Sequence, residues 1–480
     1  MPFKPSIYQE AIFEHIKNSN QNAVIEAVAG SGKTTTLIES MKLVNSKNII
    51  FVAFNKHIAE DIKPKVPKEI RVSTMHSFGY EQILRSYGKV TLDNFKIKKI
   101  IQDKYNTLNV QYSDNTFDYI SDLSSLVDLL RLNLCTSHEE AIAIANKYSF
   151  YNNSEYLVED AFKVIRESNR IRKSIDFVDM IYIPAIEDIK IKEFDLVLVD
   201  ECQDLSKCQI QLVNKMKKID GRIIAVGDRN QAIYGFTGAD HESFKTLSEA
   251  ENTILLPLSI SYRCSKSVIR EAQKIVPHIK YFENAIEGSV NRTSNLNNIL
   301  DGDFILCRIN APLVSLAMKF ISSGRKASVK GVDIGLRIIN NLKSTKKNDV
   351  KSALKILRKR YDDYKLEYES SPDRKVKTKL TAMEDMINTT EILSLSPGCY
   401  TIDDVSKIIK NVFNDTESKG LILSSAHKSK GLETDNVHII KPEFMPLPHI
   451  SLPWEKEQED NLHYVAITRA KKNLNYILEY

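Results

Sequence analysis

The sequence predicts an α/β protein with two parallel sheets, each interrupted by a helix-rich insertion. Short apolar runs alternate along the chain with segments of helical periodicity, an order typical of parallel sheets flanked by helices. Runs such as LVLV, residues 196–199, are apolar at every position rather than at every second one. This pattern indicates strands that are buried on both faces of the sheet.

The first strand set predicts a domain made of residues 1–84 and 171–258. Its strands are predicted at residues 23–28, 48–54, 71–75, 194–200, 222–228 and 253–259. Residues 85–170 lack this rhythm, are rich in Asn, Asp and Ser, and show helical periodicity. We therefore expect residues 85–170 to form an all-helical insertion in the first domain.

The second strand set predicts a domain made of residues 259–332 and 419–480. Its strands are predicted at residues 303–308, 421–427, 437–441 and 473–480. Residues 333–418 are rich in lysine and helical in pattern. They predict a second, short helical insertion.

The composition is that of an ordinary globular protein and limits the possible partners. Hydrophobic residues make up 42% of the 480 residues, and the net charge is only +5, so any basic surface is local. The polar N-terminus and the lack of about 18 consecutive apolar residues predict neither a signal peptide nor a membrane span. The six cysteines form no CxxC pair, which predicts no zinc site or disulfide framework and fits a cytoplasmic protein.

A phosphate-binding loop is predicted where the first strand meets a helix. The segment VIEAVAGSGKTTT, residues 24–36, fits the Walker A pattern except that Ala27 stands at its first glycine position. A helix is predicted at residues 35–44. Backbone N–H groups and the helix N-terminus converge at such a loop and favour phosphate oxygens. The predicted contacts come from Ala29, Gly30, Ser31, Gly32, Lys33 and Thr34, with Lys33 on the outer phosphates and the Thr34 hydroxyl on Mg²⁺.

A second motif places two carboxylates at the end of a predicted buried strand. In FDLVLVDECQD, residues 194–204, Asp200 and Glu201 follow the apolar run. Ligands bind at the carboxyl ends of strands in α/β sheets, so Asp200 could complete the Mg²⁺ shell opposite Thr34. Glu201 could accept a proton from the attacking water. The alternative is an acidic start of the next helix, which the helix dipole favours by itself.

A third motif, GDRNQAIYGFTGA at residues 227–239, follows the next apolar strand. Gln231 carries an amide that could sense the γ-phosphate or orient water. Tyr234 and Phe236 are aromatic residues on a glycine-rich loop, where they could stack on nucleic-acid bases. The alternative is that both aromatic side chains belong to the hydrophobic core.

Together with these motifs, further segments resemble the superfamily 1 helicases of the UvrD/Rep/PcrA type, in family order over nearly the whole chain. The further segments are SIYQ (residues 6–9), FVAFNK (51–56), STMHSF (73–78), SISYRC (259–264), LSSAHKSKGLE (423–433) and YVAITRAK (464–471). The resemblance implies two RecA-like P-loop NTPase domains that bind ATP and Mg²⁺. It also implies a 3′-to-5′ translocase on single-stranded DNA that unwinds duplex DNA during replication, repair or recombination.

The resemblance assigns roles at the nucleotide. Gln9 would read adenine, Tyr262 would stack on it, and Thr35 stands where relatives often have an arginine beside it. Arg263 and Arg469 would bind the γ-phosphate, with Arg469 acting as an arginine finger from the second domain. Gly431 and Glu433 would approach the ribose and γ-phosphate side. The implied catalytic set is Lys33, Glu201, Gln231, Arg263 and Arg469.

The resemblance also assigns a DNA-facing set. Its members are Phe54, Asn55, His76, Tyr234, Phe236, Arg308 and His427. Phe236-Thr237 replaces the Trp-Arg of the family, so one stacking surface is smaller and one cation is missing. For the two histidines, the alternative is a hydrogen-bonded structural role.

Three functions remain open on this basis. One is the helicase itself, expected to act as a monomer on single-stranded and tailed duplex DNA, with replication or repair proteins as partners. The second is a DNA-stimulated ATPase that strips proteins or remodels DNA ends and unwinds weakly. The third is an ATP-gated DNA-binding scaffold with little turnover, against which the intact catalytic set argues. The abundance of Lys, Asn and Ile is compatible with an AT-rich bacterial or phage genome.

Overall fold

Two parallel sheets organise the chain, as the sequence predicts. A computed structural model describes residues 4–107, 114–148, 150, 154–235, 242–293, 296, 299–368, 374–415, 420–448, 450 and 452–478. The chain divides into two compact units, Met1–Ser259 and Ile260–Tyr480. Each unit contains a six-stranded sheet in which all described strand pairs are parallel. The predicted α/β class is confirmed.

The sheet of the first unit places the strands of the three nucleotide motifs side by side. The strands of this unit are β1 (Asn22–Ala27), β2 (Ile49–Ala53), β3 (Arg71–Thr74), β4 (Thr91–Leu92), β5 (Ser174–Ile175), β6 (Phe194–Val199), β7 (Lys217–Gly227) and β8 (Thr253–Leu258). Six of them form the sheet in the order β3-β2-β6-β7-β1-β8, and β4 pairs with β5 separately. All six strands that the sequence predicts for this unit are present.

Helices cover both faces of this sheet, which explains why its strands are apolar at successive positions rather than at every second one. The helices of the first unit are α1 (Ile7–Asn18), α2 (Lys33–Met41), α3 (Lys56–Ile62), α4 (Met75–Tyr87), α5 (Lys96–Thr107), α6 (Asp114–Leu132), α7 (His138–Lys147), α8 (Ser154–Arg170), α9 (Asp179–Ile186), α10 (Lys207–Met216) and α11 (Ser243–Ser248). In β6, Val197 and Val199 pack in the core on one face, and Leu196 and Leu198 pack in the core on the other.

Two predicted boundaries in the first unit were wrong by a few residues. Helix α2 occupies Lys33–Met41 rather than residues 35–44, because Gly32 takes the N-cap position with a φ of 84°. Helix α4 continues to Tyr87, so the predicted boundary at residue 84 falls inside a helix.

Helices α5 to α8 pack around a core of their own. Its members include Leu126, Leu130, Val158 and Ile165, all of which are buried. The short pair β4–β5 stands at the two ends of this helical segment, with Thr91 opposite Ser174 and Leu92 opposite Ile175. The segment therefore leaves and rejoins the α/β part through one two-stranded connection.

The second unit repeats the parallel architecture. Its strands are β9 (Ile260–Ser261), β10 (Lys280–Tyr281), β11 (Ser289–Thr293), β12 (Phe304–Cys307), β13 (Ala327–Val329), β14 (Leu421–Ser425), β15 (Thr434–Ile440) and β16 (Ala470–Ile477). The sheet order is β11-β16-β15-β12-β14-β13, and β9 pairs with β10. All four predicted strands are present, although β16 begins at Ala470, three residues before its predicted start.

Most helices of the second unit share one continuous core with its sheet. The helices of this unit are α12 (Lys266–Ala272), α13 (Ala311–Ser322), α14 (Val332–Ser344), α15 (Val350–Tyr368), α16 (Arg374–Ser394), α17 (Ile402–Val412) and α18 (Pro453–Ile467). Helices α13 to α17 contribute to the shared core. Leu357 and Ile387 of the helical segment α14 to α17 belong to the same buried cluster as Ile305 and Leu423 of the strands. In the parts of the chain that the structure describes, no helix has the length and apolar character needed to cross a membrane.

Candidate functional site

The three nucleotide motifs meet at one edge of the first sheet. Strands β6, β7 and β1 are neighbours and parallel, so their carboxyl ends lie together. The phosphate loop follows β1, the two carboxylates follow β6, and Gln231 follows β7. Ligand sites of open α/β sheets occupy such an edge.

The loop after β1 has the geometry of an anion cradle. Gly30 and Gly32 adopt left-handed φ values of 71° and 84°, which glycine reaches without the steric penalty of a Cβ atom. Gly32 also caps the N-terminus of α2, where backbone N–H groups favour negative charge. The buried Ser31 hydroxyl has no hydrogen-bond partner among the described residues. These features fit the phosphate groups of a nucleotide.

The loop contacts the two carboxylates directly. Lys33 Nζ lies 3.0 Å from Glu201 Oε1, and the Thr34 hydroxyl donates to Asp200 Oδ2 at 3.0 Å. Burial and the charge of Glu201 raise the pKa of Asp200 to about 6. Burial lowers the pKa of Lys33, but the charges of Glu201, Asp228 and Asp200 outweigh it and raise the pKa above its ordinary value. A hydroxyl and a carboxylate at this distance are oxygen donors of the kind that Mg²⁺ prefers.

Gln203 connects the expected general base to the next motif, a contact that sequence reasoning missed. Its Nε2 donates to Glu201 Oε2 at 2.6 Å, and its Oε1 accepts from the Asp228 backbone N–H at 3.0 Å. A Cβ atom on Gly227 would come within 2.5 Å of Gln203 Oε1, so this approach requires glycine. Glu201 itself has a φ of 53°, a left-handed conformation that is uncommon for residues other than glycine. The sequence signal for this contact is the position of Gln203 in the DECQD motif, two residues after Glu201.

Gln231 and Gln9 are both buried beside the loop and engaged within the protein. Gln231 Nε2 donates to Asp228 Oδ2 at 2.7 Å. Gln9 completes the capping box of α1 with Ser6, and its Nε2 donates to Thr36 Oγ1 at 3.0 Å. Their expected roles at the γ-phosphate and at adenine stay predictions.

Two stacked aromatic pairs lie beyond the ends of β2 and β3, on the same edge of the sheet. Phe54 and Tyr234 stack with their centroids 6.0 Å apart and their planes at 17°. His76 stacks on Phe177 at 3.9 Å and 19°, and burial lowers the pKa of His76 to about 4. Phe177 is 54% exposed, and the sequence does not predict its role, because its segment, SIDFVD, contains none of the motifs of the predicted site.

The predicted DNA-facing set also includes Asn55 and Phe236. Asn55 is exposed and caps α3, its side chain accepting from the Ile58 N–H at 2.9 Å. Phe236 lies outside the described residues.

The second unit gathers most of its predicted nucleotide residues at the amino ends of β15 and β16. Glu433 precedes β15, Arg469 precedes β16, and these strands are neighbours. Arg263 Nε lies 2.5 Å from Glu433 Oε2, and Lys471 Nζ lies 3.0 Å from Glu433 Oε1. Burial raises the pKa of Glu433, but Arg263, Lys471 and Arg469 outweigh it and lower the pKa below its ordinary value. Lys471 is a cation of this cluster that the sequence analysis did not assign.

Arg469 is buried and oriented by the main chain of its own unit. Its Nε donates to Val465 O at 2.9 Å, and its Nη1 donates to Leu432 O at 3.1 Å. The preceding Gly431 has a left-handed φ of 88°. A guanidinium held at several nitrogens has a fixed plane, which suits recognition of phosphate oxygens.

Tyr262 offers the stacking surface that its motif predicts. Its ring is 43% exposed and packs on Phe282 with the centroids 5.1 Å apart and the planes tilted by 44°. Phe282 had not been singled out from the sequence. Whether Tyr262 contacts adenine stays a prediction.

Arg308 and His427 lie at the opposite edge of the second sheet, after β12 and β14. The Arg308 guanidinium binds Glu459 through two nitrogens, with Nε and Nη2 at 3.0 and 2.8 Å from Oε1. Burial and the charge of Arg308 lower the pKa of His427 to about 3, so His427 is neutral at pH 7. Arg308 is thus engaged by Glu459, and its expected contact with a DNA phosphate stays a prediction.

Comparison with known proteins decides the family. A sequence model of the UvrD/REP helicase N-terminal domain matches residues 8–252, and one of the UvrD-like helicase C-terminal domain matches residues 420–477. The chain belongs to the UvrD/Rep helicase family. Both of the matched regions contain motifs from which the resemblance was predicted, so that prediction is confirmed.

Individual relatives of this UvrD/Rep family protein come from eukaryotes and bacteria. F-box DNA helicase protein 1 of Schizosaccharomyces pombe is 26% identical, over 97% of this chain and 56% of that protein. F-box DNA helicase 1 of Gallus gallus is 23% identical, over 97% of this chain and 48% of its own length. ATP-dependent DNA helicase PcrA of Staphylococcus epidermidis is 25% identical, over 55% of this chain and 39% of that protein. The chain thus spans about half the length of the curated relatives it matches.

Proposed function

We propose that this chain is an ATP-dependent motor that moves 3′-to-5′ on single-stranded DNA and unwinds duplex DNA. The observation that carries the proposal is the shared edge of the first sheet. The phosphate loop, two carboxylates and Gln231 follow three neighbouring strands there, and two stacked aromatic pairs follow the next two. The polarity and the unwinding are supported by family membership and by the printed names of the relatives.

The residues of the loop support ATP as the cofactor and Mg²⁺ as its metal. Thr34 and Asp200 would hold Mg²⁺, which when bound neutralises charge on the β- and γ-phosphates. Lys33 is the cation for the outer phosphates, and Glu201 would take the proton of the attacking water. Gln203 orients Glu201 through the hydrogen bond at 2.6 Å. The carboxylate thus keeps a fixed direction when Lys33 turns to a phosphate.

Two further arginines would supply positive charge to the nucleotide phosphates. Arg263 and Arg469 are the residues we propose for this role, as the family resemblance implies. The Arg469 side chain is already ordered by two backbone carbonyl oxygens, so little entropy is lost when it meets a phosphate oxygen. Tyr262 would stack on the base, and Gly431 and Glu433 would line the ribose side.

The aromatic pairs would bind the DNA strand. Exposed rings stack on any base, so binding would depend weakly on sequence. Phe54, Tyr234, His76 and Phe177 provide four rings along the ends of β2 and β3. We propose Asn55, Phe236, Arg308 and His427 as further contacts, and a monomer as the active form.

ATP turnover and strand displacement together test this function. Turnover is measured with and without oligo(dT), and displacement on duplexes with a 3′ tail, a 5′ tail or blunt ends. The expected results are DNA-stimulated turnover and displacement of the 3′-tailed duplex alone. Stimulated turnover without displacement would favour the ATPase that strips proteins or remodels DNA ends. DNA binding without stimulated turnover would favour the scaffold.

A further inference from the structure

We propose that the helical segment α5 to α8 positions both aromatic pairs of the DNA site, through Arg131 and Tyr148. Arg131 lies on α6, and Tyr148 is the C-cap residue of α7. Each contacts the backbone or side chains of a loop that carries one aromatic ring. The inference rests on the proposed function, because it assigns positioning residues to the same DNA site.

The first connection is a buried ion cluster around Arg131. Its Nη1 lies 2.9 Å from Asp179 Oδ1, and its Nη2 lies 2.9 Å from Asp176 Oδ2. Lys96, on α5, binds the other oxygen of Asp179 at 2.7 Å, and Asp128 binds Arg131 at 2.6 Å. A planar guanidinium can hold both loop carboxylates at once, whereas a lysine ammonium lacks this fork. Two helices of the segment thus fix one short loop of the α/β part.

That loop carries Phe177 between its two carboxylates. The Asp176 N–H donates to Asp179 Oδ2 at 3.0 Å, and the Asp179 N–H donates to Asp176 Oδ1 at 2.7 Å. The two carboxylates are buried, while the Phe177 ring is exposed and stacks on His76. The direction of an exposed ring is therefore set by buried charges that Arg131 neutralises.

The second connection joins Tyr148 to the loop of the other aromatic pair. The Tyr148 hydroxyl donates to Gly235 O at 2.9 Å. Gly235 directly follows Tyr234, whose ring stacks on Phe54. One hydroxyl of the helical segment therefore contacts the backbone next to a proposed DNA-binding ring.

A purely structural reading is that these contacts only attach the helical segment to the α/β part. Both readings predict that breaking the ion cluster lowers thermal stability, because unpaired charges would stay buried. Only positioning predicts that the effect on DNA affinity disappears once the ring itself is removed. A double-mutant cycle separates the two readings.

Binding of fluorescein-labelled oligo(dT) to the full chain, measured by anisotropy at fixed salt, provides the test. The variants are Arg131→Lys, Phe177→Ala and their combination, with Arg170→Lys on α8 as the matched control at an exposed ion pair. Phe177→Ala should weaken binding roughly 5- to 100-fold, the size of one lost stacking contact. Arg131→Lys should weaken it roughly 3- to 30-fold alone and by at most about twofold in the Phe177→Ala background. Arg170→Lys should have no effect.

Tyr148→Phe keeps the inference testable if the ion-cluster variant fails to fold. Tyr148→Phe removes a single hydroxyl and should weaken oligo(dT) binding when Tyr234 is present. In the Tyr234→Ala background, the same substitution should cause no further loss of binding. A full effect of Arg131→Lys or Tyr148→Phe in the ring-less backgrounds, or no effect in the intact ones, would overturn the inference. If the unmodified chain does not bind oligo(dT), or binding ignores both ring substitutions, the proposed DNA site itself is wrong.

Discussion

Lys33 Nζ and Glu201 Oε1 lie 3.0 Å apart, so the cation of the phosphate loop and the expected general base neutralise each other. Both side chains are largely buried, and Gln203 holds the second carboxylate oxygen of Glu201. Phosphate oxygens entering the loop would compete with Glu201 for the ammonium group. In the proposed mechanism this exchange frees the carboxylate to accept a proton from water.

Replacing Lys33 with alanine should remove most ATP turnover. The ammonium is the cation closest to the proposed outer phosphates, and loss of one such electrostatic contact typically costs about 10²–10³-fold in rate. Steady-state turnover with oligo(dT) measures the effect, and circular dichroism checks the fold. Lys42→Ala is the matched control, because Lys42 caps the other end of α2 and pairs with the surface residue Glu39. Normal turnover in folded Lys33→Ala protein would refute the phosphate-loop assignment.

Replacing Glu201 with glutamine should preserve ATP binding and slow hydrolysis. The amide keeps the size of the side chain but cannot take a proton, and a positioned general base contributes about 10²–10⁴-fold. Gln203→Leu should lower kcat by a smaller factor, because it leaves the base present but no longer held. Pre-steady-state turnover and nucleotide titration separate the two effects. Weaker nucleotide binding with an unchanged kcat would show that Glu201 is a binding residue.

The strands and the nucleotide motifs were predictable from the sequence because they depend on local patterns. LVLV in β6 predicts a strand that is buried on both faces of the sheet, and GSGKT predicts a strand-to-helix turn. Neither prediction depends on distant parts of the sequence. Helix α2 began two residues early because Gly32 adopts a left-handed conformation at its N-cap, a detail that periodicity does not report.

The contacts that cross long stretches of sequence were not predictable from local patterns. Phe177 contacts His76 across about a hundred residues of sequence, and Gln203, after β6, accepts from the backbone of Asp228, after β7. The ion pair of Arg308 with Glu459 joins residues that lie 151 positions apart in the chain. Such pairings depend on strand order, which a single sequence does not determine.

Replacing Arg469 with lysine should remove most of its contribution to ATP hydrolysis, although the positive charge is kept. Lysine keeps the charge but cannot donate at the same time to Val465 O, Leu432 O and a phosphate oxygen from a fixed plane. We expect kcat and kcat/KM to fall together by about 10³-fold or more, the range of an arginine finger. A rise in KM with kcat unchanged would make Arg469 a ground-state contact instead.

Two partly buried histidines, His76 and His427, should make the protein less stable in mild acid. Burial lowers the pKa of His76 to about 4 and that of His427 to about 3, both below the value of about 6.5 in an unfolded chain. As the pH falls below about 6.5, the unfolded state binds protons that the folded state does not, so the free energy of unfolding decreases.

Thermal unfolding at pH 7.5 and pH 5 measures this dependence. His76→Gln and His427→Gln should each reduce the drop in Tm between the two values. His57→Gln, at an exposed position, is the matched control. An unchanged pH difference in both the His76 and the His427 variant would mean that these histidines accept protons in the folded protein.

Phe54 and Tyr234 should act as one unit in DNA binding, because their rings already stack on each other at 6.0 Å and 17°. Removal of either ring exposes the other to water and leaves it without its neighbour, so the two losses should overlap. Phe54→Ala and Tyr234→Ala should each weaken oligo(dT) binding by roughly 5- to 100-fold, and the double variant by less than the product. The slope of log Kd against log salt should stay the same in all three variants, because it reports the phosphates neutralised by Lys and Arg rather than stacking. Additive losses would mean that the rings contact separate bases, and a changed slope would mean that the substitutions have moved the strand away from its cationic contacts.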